Sequence, residues 1–321
     1  MKLSIIIPAY NTGLLLYRCV ESIHVPQEWN YEIIIVDDGS TDGITPDICD
    51  NIQNSNNNVK VIHTSNNGAY EARLKGITVA NGDWIMFMDS DDTMTPDGIS
   101  GLIGRMNTGA DIIVGTLNLN NRSVYNHKIN GLLEKSKYLT ALLQSKTSIG
   151  LYGKLYKRYI FEKPLIKPKE RIKINEDLLM LLTAASRAST IYIDANHICY
   201  NYIFQENSMR TSMMEVSTWN YLFSLIRTIL SPYILEDAIR VAFRRYRLHL
   251  IYVCMIRRGQ YISITDRIYS DLLDENFWID LNPEEQYVLK LLKSPTKQHY
   301  CHWQAKYIGN AKRYIKKFLP Q

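Results

Sequence analysis

Five short apolar runs punctuate the first 115 residues, and the chain between them is long enough each time for one helix. The runs are LSIII (residues 3–7), EIIIV (32–36), VKVIH (59–63), WIMFM (84–88) and DIIVG (111–115). Each is nearly continuous in apolar, mostly β-branched residues, the pattern of a strand buried on both faces. The segments between them, near 12–24, 43–53, 68–80 and 96–107, carry helical periodicity. Parallel neighbours need a crossover connection, so this alternation predicts an α/β fold with a doubly wound, mostly parallel sheet. Ligands of such sheets bind beyond the carboxyl ends of the strands.

The residues just past those ends are the ones that carry chemistry. Pro8-Ala9-Tyr10-Asn11 follows the first run, Asp37-Asp38-Gly39-Ser40-Thr41-Asp42 the second, and Asp89-Ser90-Asp91-Asp92 the fourth. Clustered carboxylates repel one another unless a cation sits among them, and Mg²⁺ or Mn²⁺ commonly shares its oxygen shell with substrate phosphates. The same residues also suit an acidic turn capping a helix near Pro96. An EF-hand calcium loop does not fit, because its sixth position is Met94 and its twelfth Ser100. Asp38 can accept a hydrogen bond from a base or ribose, or simply close an Asp-Gly turn. At Asn66-Asn67-Gly68-Ala69-Tyr70-Glu71-Ala72-Arg73 a glycine turn enters a helix and sets Arg73 near a phosphate-binding edge. Asn175-Glu176-Asp177 opens an apolar helix, where the carboxylates complement the helix dipole or Asp177 serves as a general base.

From about 120 to 200 the pattern loosens. A helix is expected at 132–144 and strands at 190–194 and 198–204, with the basic-aromatic stretch GKLYKRYIF over 153–161. Beyond about 215 the signal is helical, which divides the chain into a 1–215 domain and a 216–321 helical region. Five scattered cysteines with no C-x-x-C pair argue for a reducing compartment and against structural zinc. His299, Cys301 and His302 form no full ligand set. The opening segment lacks the features of a secretory leader, and no stretch is apolar enough to span a bilayer. A cytoplasmic protein is therefore expected. Of the basic residues behind the net charge of +5, eight fall after residue 289 with no acidic residue among them, leaving the preceding chain net acidic. That distribution argues against a nucleic-acid-binding body.

The ordered series SIIIPAYN, EIIIVDDGSTD, NNGAYEAR, WIMFMDSDD, GKLYKR, NED and YNYIFQENSMR resembles the family 2 glycosyltransferases with the A-type fold, over residues 2–212. The resemblance implies transfer of a sugar, with inversion, from a nucleotide-sugar donor to a glycan or lipid-linked glycan acceptor. A UDP-sugar and bacterial surface polysaccharide or lipooligosaccharide synthesis are the expectation. It further implies Mn²⁺ or Mg²⁺ on the leaving diphosphate at Asp91 and Asp92, and Asp177 as the base. Pro8, Tyr10, Asp38, Arg73, Asp89, Asp91, Lys154 and Arg210 are implied to contact the donor, with Ser208 and Arg210 on a loop that closes over it. A nucleotidyltransferase would need a glycine-rich loop after the first strand, where Pro8-Ala9-Tyr10-Asn11 stands. A non-catalytic sugar-nucleotide-binding or membrane-scaffolding member of the same fold is the alternative reading.

Outside the resemblance, AKYIGNAKRYIKKFLPQ (305–321) reads as a basic amphipathic helix. It suits either an anionic membrane surface, at about 1 kcal/mol per basic residue, or packing on the protein's own core. Attachment at the inner face of the membrane and a homodimer through the helical region are the corresponding expectations.

Overall fold

The computed structural model describes residues 1–119, 123–125, 127–172, 174–203, 214–260 and 281–303. The chain divides into two compact units, Met1–Ser212 and Met213–Gln321.

The first unit is built on one mixed sheet. Its strands are β1 (Lys2–Ala9), β2 (Asn30–Asp37), β3 (Val59–His63), β4 (Trp84–Phe87), β5 (Thr93–Met94), β6 (Ile112–Leu119), β7 (Ser123–Val124), β8 (Gly131–Glu134), β9 (Lys154–Lys157) and β10 (Thr190–Tyr202). The order is β3-β2-β1-β4-β9-β6-β10-β5, with β7 paired to β6 and β8 to β10. All five apolar runs of the sequence lie in strands of this sheet. β3, β2, β1 and β4 are mutually parallel, and Ile5, Ile6, Ile33, Ile34, Ile35 and Met86 in their centres are buried. Full burial of each such side chain contributes about 2 kcal/mol. Helices α1 (Leu15–Glu21), α2 (Thr45–Ser55), α3 (Ala69–Val79) and α4 (Gly98–Gly104) make the connections, as the alternation predicts.

Three elements depart from expectation. β9 runs antiparallel between β4 and β6, so the sheet is mixed. Its sequence, Lys154-Leu155-Tyr156-Lys157, does not read as a buried strand because a lysine sits at each end. The predicted helix at 132–144 begins as strand β8 and becomes α5 (Lys135–Leu143) only at Lys135. The two strands expected at 190–194 and 198–204 are one strand, β10, irregular between Ile193 and Ile198. Asp194 accepts the backbone N–H groups of Asn196 and His197 through one carboxylate oxygen at 3.1 Å each, and this turn makes the bulge.

Helix α6 (Glu176–Arg187) inserts residues Leu178 through Ala185, all buried, into the core. Its first turn is thereby fixed to the rigid part of the unit.

The second unit contains α7 (Val216–Leu230), α8 (Asp237–Leu250), α9 (Pro283–Leu292) and α10 (Pro295–Trp303). Trp219, Leu222, Ile226, Ile239 and Ala242 are buried within it. A capping box starts α9: Glu285 N–H donates to Asn282, and Asn282 N–H donates back to Glu285. The other Glu285 oxygen receives Arg244 at 3.2 Å, a buried ion pair. The basic helix expected over 305–321 lies outside the described residues, as do Ser208 and Arg210. No helix among the described residues is long and apolar enough to cross a membrane.

Candidate active site

The loops past β1, β2, β3 and β4 are tied to one another by side chains. Asn11, in the left-handed region at φ 51°, accepts the N–H of Thr41 at 2.7 Å and of Asp42 at 3.2 Å. Thr12 and Ser90 share a hydroxyl hydrogen bond of 2.8 Å, joining the first loop to the acidic loop. Asp38, buried, accepts the N–H groups of Asn67 at 2.8 Å and Gly68 at 2.7 Å, one on each oxygen. Gly39 makes this packing possible: its φ is +68°, and a Cβ there would lie 2.6 Å from the backbone nitrogen of Asn66.

Arg73 is the junction. Carried by α3 and only 4% exposed, its guanidinium donates to Asp89 at 2.8 Å and to Asp177 at 2.6 Å. Burial opposes its charge, but Asp177, Asp89 and Glu176 outweigh that effect and push its pKa up. The Arg73 Nε is buried with no hydrogen-bond partner. Asp89 and Asp177 are each about a quarter exposed, so the pair they form with Arg73 faces an opening. Asp177 stands in the first turn of α6, after Asn175 at φ 65°, where the helix dipole favours a carboxylate.

Within the acidic loop the three carboxylates have different surroundings. Asp92 is 1% exposed, and both its oxygens are engaged, one by the Tyr200 hydroxyl at 2.8 Å and one by the Ile203 N–H at 2.7 Å. Burial first, then the Asp89 charge, raises its pKa. The Asp91 carboxyl is raised for the same two reasons. Burial together with Asp92, Asp89 and Asp91 likewise lifts the thiol of Cys19. The loop thus concentrates negative charge beyond what Arg73 and Arg18, which donates to the Asp91 carbonyl at 3.2 Å, compensate. Mg²⁺ and Mn²⁺ keep waters and phosphate oxygens in their shells, so two carboxylates are a sufficient protein share. Among the described residues no group of three or more His, Cys, Asp or Glu side chains is placed to hold a metal ion. Asp92, expected at the metal, is buried with one protein donor on each oxygen, while Asp91 and the second oxygen of Asp89 are not held in this way by other described residues.

Tyr200 was not marked as a site residue by its sequence. Besides donating to Asp92, its hydroxyl accepts the Asp89 N–H at 3.0 Å, and its ring stacks on Tyr152 with centroids 5.0 Å apart. It lies 108 residues from Asp92, and no local pattern signals such a contact. Lys154, expected to face donor or acceptor, is instead fully buried. Its ammonium donates to the Ser148 hydroxyl at 2.7 Å and to the carbonyls of Gly150 at 2.6 Å and Tyr152 at 3.4 Å. Burial pulls it down to about 7. Pro8 is buried on β1 opposite Val36, and Tyr10 just beyond it is 45% exposed.

The model of the family described as "Glycosyl transferase family 2" matches residues 4–163. GlyG, a glycosyltransferase of Streptococcus pneumoniae, is 42% identical over 115 residues, 35% of this chain and 38% of its own. The poly(ribitol-phosphate) beta-glucosyltransferase of Bacillus spizizenii is 32% identical over 232 residues, 69% of this chain and 35% of its own. The chain therefore spans less than half the length of these two relatives. Among solved structures, S. aureus TarS 1–349 in complex with UDP-GlcNAc superposes with a TM-score of 0.66 at 21% identity, over 79% of this chain and 73% of that one. The matched segment holds both aspartate motifs and the arginine that joins the second of them to α6, and through it this chain belongs to glycosyl transferase family 2.

Proposed function

We propose that the chain transfers a sugar from a UDP-sugar to a glycan or glycolipid acceptor, inverting the anomeric carbon. The observation that carries this reading is the buried Arg73 bridging an acidic-loop carboxylate and the carboxylate at the start of α6. One guanidinium thereby sets a candidate general base at a fixed distance from a candidate diphosphate site. Asp177 takes the proton of the acceptor hydroxyl, the hydroxyl oxygen bonds to the anomeric carbon, and the bond to the diphosphate breaks with its electron pair. Asp38 and Tyr10 line the side on which the nucleoside rests, and Arg73 faces the developing negative charge. Asp89 and Asp91 would hold Mn²⁺ or Mg²⁺, which when bound supplies Lewis acidity toward the departing diphosphate. Asp92, engaged by Tyr200 and Ile203, positions that loop.

A solved neighbour, TarS, is described in complex with UDP-GlcNAc and with UDP, which supports a uridine nucleotide here. The glucosyltransferase relative is described as acting on poly(ribitol-phosphate), which supports an acceptor among bacterial surface polymers. Residues 1–215 carry the chemistry in this proposal. Residues 216–321 would serve attachment: the basic segment 305–321 would hold the enzyme to the inner face of an anionic membrane, or the region would pair two copies.

The test is release of nucleoside diphosphate from a panel of UDP-sugars, with Mn²⁺ or with chelator, for wild type, Asp91→Asn and Asp177→Asn. Release from one donor that needs the metal, and falls by about 10³-fold or more in each variant, is expected. Turnover that survives both substitutions would overturn the assignment.

A further inference from the structure

Strands β2 and β3 end side by side, and their last residues, Asp37 and His63, are direct partners across the ladder. Partners in register share a face of the sheet, so the carboxylate and the imidazole meet. His63 Nδ1 lies 2.8 Å from Oδ2 of Asp37, and on the other side of the ring Nε2 lies 3.2 Å from Oδ1 of Asp50 on α2. A neutral imidazole donates through one nitrogen only. With a carboxylate oxygen against each nitrogen, both nitrogens donate and the ring is an imidazolium.

The charged groups that face this ring are Asp37 from β2 and Asp50 from α2. The hydrogen bond to Asp37 raises the pKa of His63, burial works against that, and the bond to Asp50 adds to it. The Cys49 thiol, beside the same two carboxylates, is pushed up to about 12 by burial and then by their charge, so it stays protonated at neutral pH. The His63 ring is 42% exposed and exchanges its proton with solvent.

What the imidazolium holds is the turn after β2. Asp37 is buried, and its other oxygen accepts the Ser40 N–H at 3.1 Å. The Ser40 hydroxyl accepts the N–H of Asn11, next to Tyr10, at 2.9 Å. The Asp37 carbonyl accepts the N–H and the hydroxyl of Thr64, at 2.9 and 3.2 Å. This one residue therefore frames both Asp38 and Tyr10. When the ring loses its proton, one of its two hydrogen bonds goes, and the buried Asp37 carboxylate is left without that cation. A buried carboxylate in that position takes up a proton or draws in water, and either change moves the turn.

We propose that His63 is a positioning residue whose proton sets the shape of the nucleoside turn, so that uridine binds more tightly when the ring is charged. The proposal rests on placing the nucleoside beside Asp38 and Tyr10. Coupling between two binding events is reciprocal, so bound uridine must raise the pKa of His63 by the factor that the proton adds to uridine affinity.

NMR titration of the His63 ring, with chelator present, alone and with saturating uridine, measures the coupling on the wild-type protein. Uridine carries no phosphate and has no group of its own titrating over the range used, roughly pH 5 to 8. The His63 pKa is expected to rise by about 0.5 pH unit on saturation, with uridine binding about threefold tighter at the acid end of the range than at the other. Asp92, Glu176 and Lys154 titrate near the same range, so variants isolate the ring's share. His63→Gln should bind uridine as weakly as wild type does at high pH and lose the threefold component. His63→Arg, which keeps a cation between Asp37 and Asp50, should hold the tighter value throughout. A His63 pKa that uridine leaves in place, or a pH dependence that both variants retain, overturns the proposal. Failure of both uridine and UDP to bind at any pH would remove the nucleoside reading and this inference with it, whereas binding that leaves His63 unmoved removes the inference alone.

Discussion

Arg73 concentrates several functions in one side chain, so its replacement is the most informative single change. Arg73→Met removes the partner of Asp89 and of Asp177 at once. The cost to folding is about 3 kcal/mol, at the low end for a broken buried pair because both carboxylates reach solvent. Urea unfolding measures it, and nucleotide release is expected to fall by about 10²-fold even where the variant is fully folded. Lys154 makes the opposite point. Lys154→Met leaves three acceptors without their donor and costs about 1–3 kcal/mol in the same unfolding experiment. With its internal position, however, no direct effect on donor affinity is expected. A lysine beside aromatic residues reads in a sequence as exposed, and only the turn at Ser148–Tyr152, wrapped around the ammonium, shows why this one is not.

At the scale of elements, the turns past the strands behave as one body. Gly39→Ala places a methyl against the Asn66 backbone in a left-handed residue, and should destabilise by about 2 kcal/mol or more. The same variant should raise the apparent Kd for UDP, which calorimetry would show, because Asp38 and the Asn67–Gly68 turn shift with it. The parallel half of the sheet and the loops that follow its strands were legible from apolar runs and polar turns, since those signals are local. β9 was not, because charge at both its ends masks two buried residues. The unity of β10 was not, because an Asp194 turn imitates a break between two strands. Tyr200 was not, because its contact with Asp92 joins positions far apart in the chain. Asp177 was legible as a residue, yet its link to Asp89 through Arg73 emerges only when α3 and α6 are packed together.

For the molecule as a whole, the unusual carboxyls set the pH dependence of stability. Asp92 and Glu176 have folded pKa values raised above their unfolded ones, chiefly by burial. Such groups bind more protons in the folded state, so the stability they confer is present at low pH and lost as pH rises through the folded values. His63, raised by its hydrogen bond to Asp37, acts in the same direction. Lys154 is lowered to about 7 from 10.5, so its contribution rises with pH between those values. Without metal or donor, the melting midpoint is therefore expected to fall as pH rises from about 4 to about 8, the folded value of both carboxyls, with Lys154 offsetting part of the fall above about pH 7. Asp92→Asn should flatten the fall, and differential scanning fluorimetry across that range would show it.

The mutual tying of the loops also bears on how such a protein can change. Asn11 shapes the turn after β2, Asp38 shapes the entry to α3, Arg73 reaches both the acidic loop and α6, and Thr12 meets Ser90. Each loop in this circuit takes part of its shape from another. A loop transplanted alone from a relative of different specificity would arrive without the side chains that give it shape. Specificity in this scaffold is therefore exchanged as a set of loops, and single-loop grafts should yield folded but inactive chimeras.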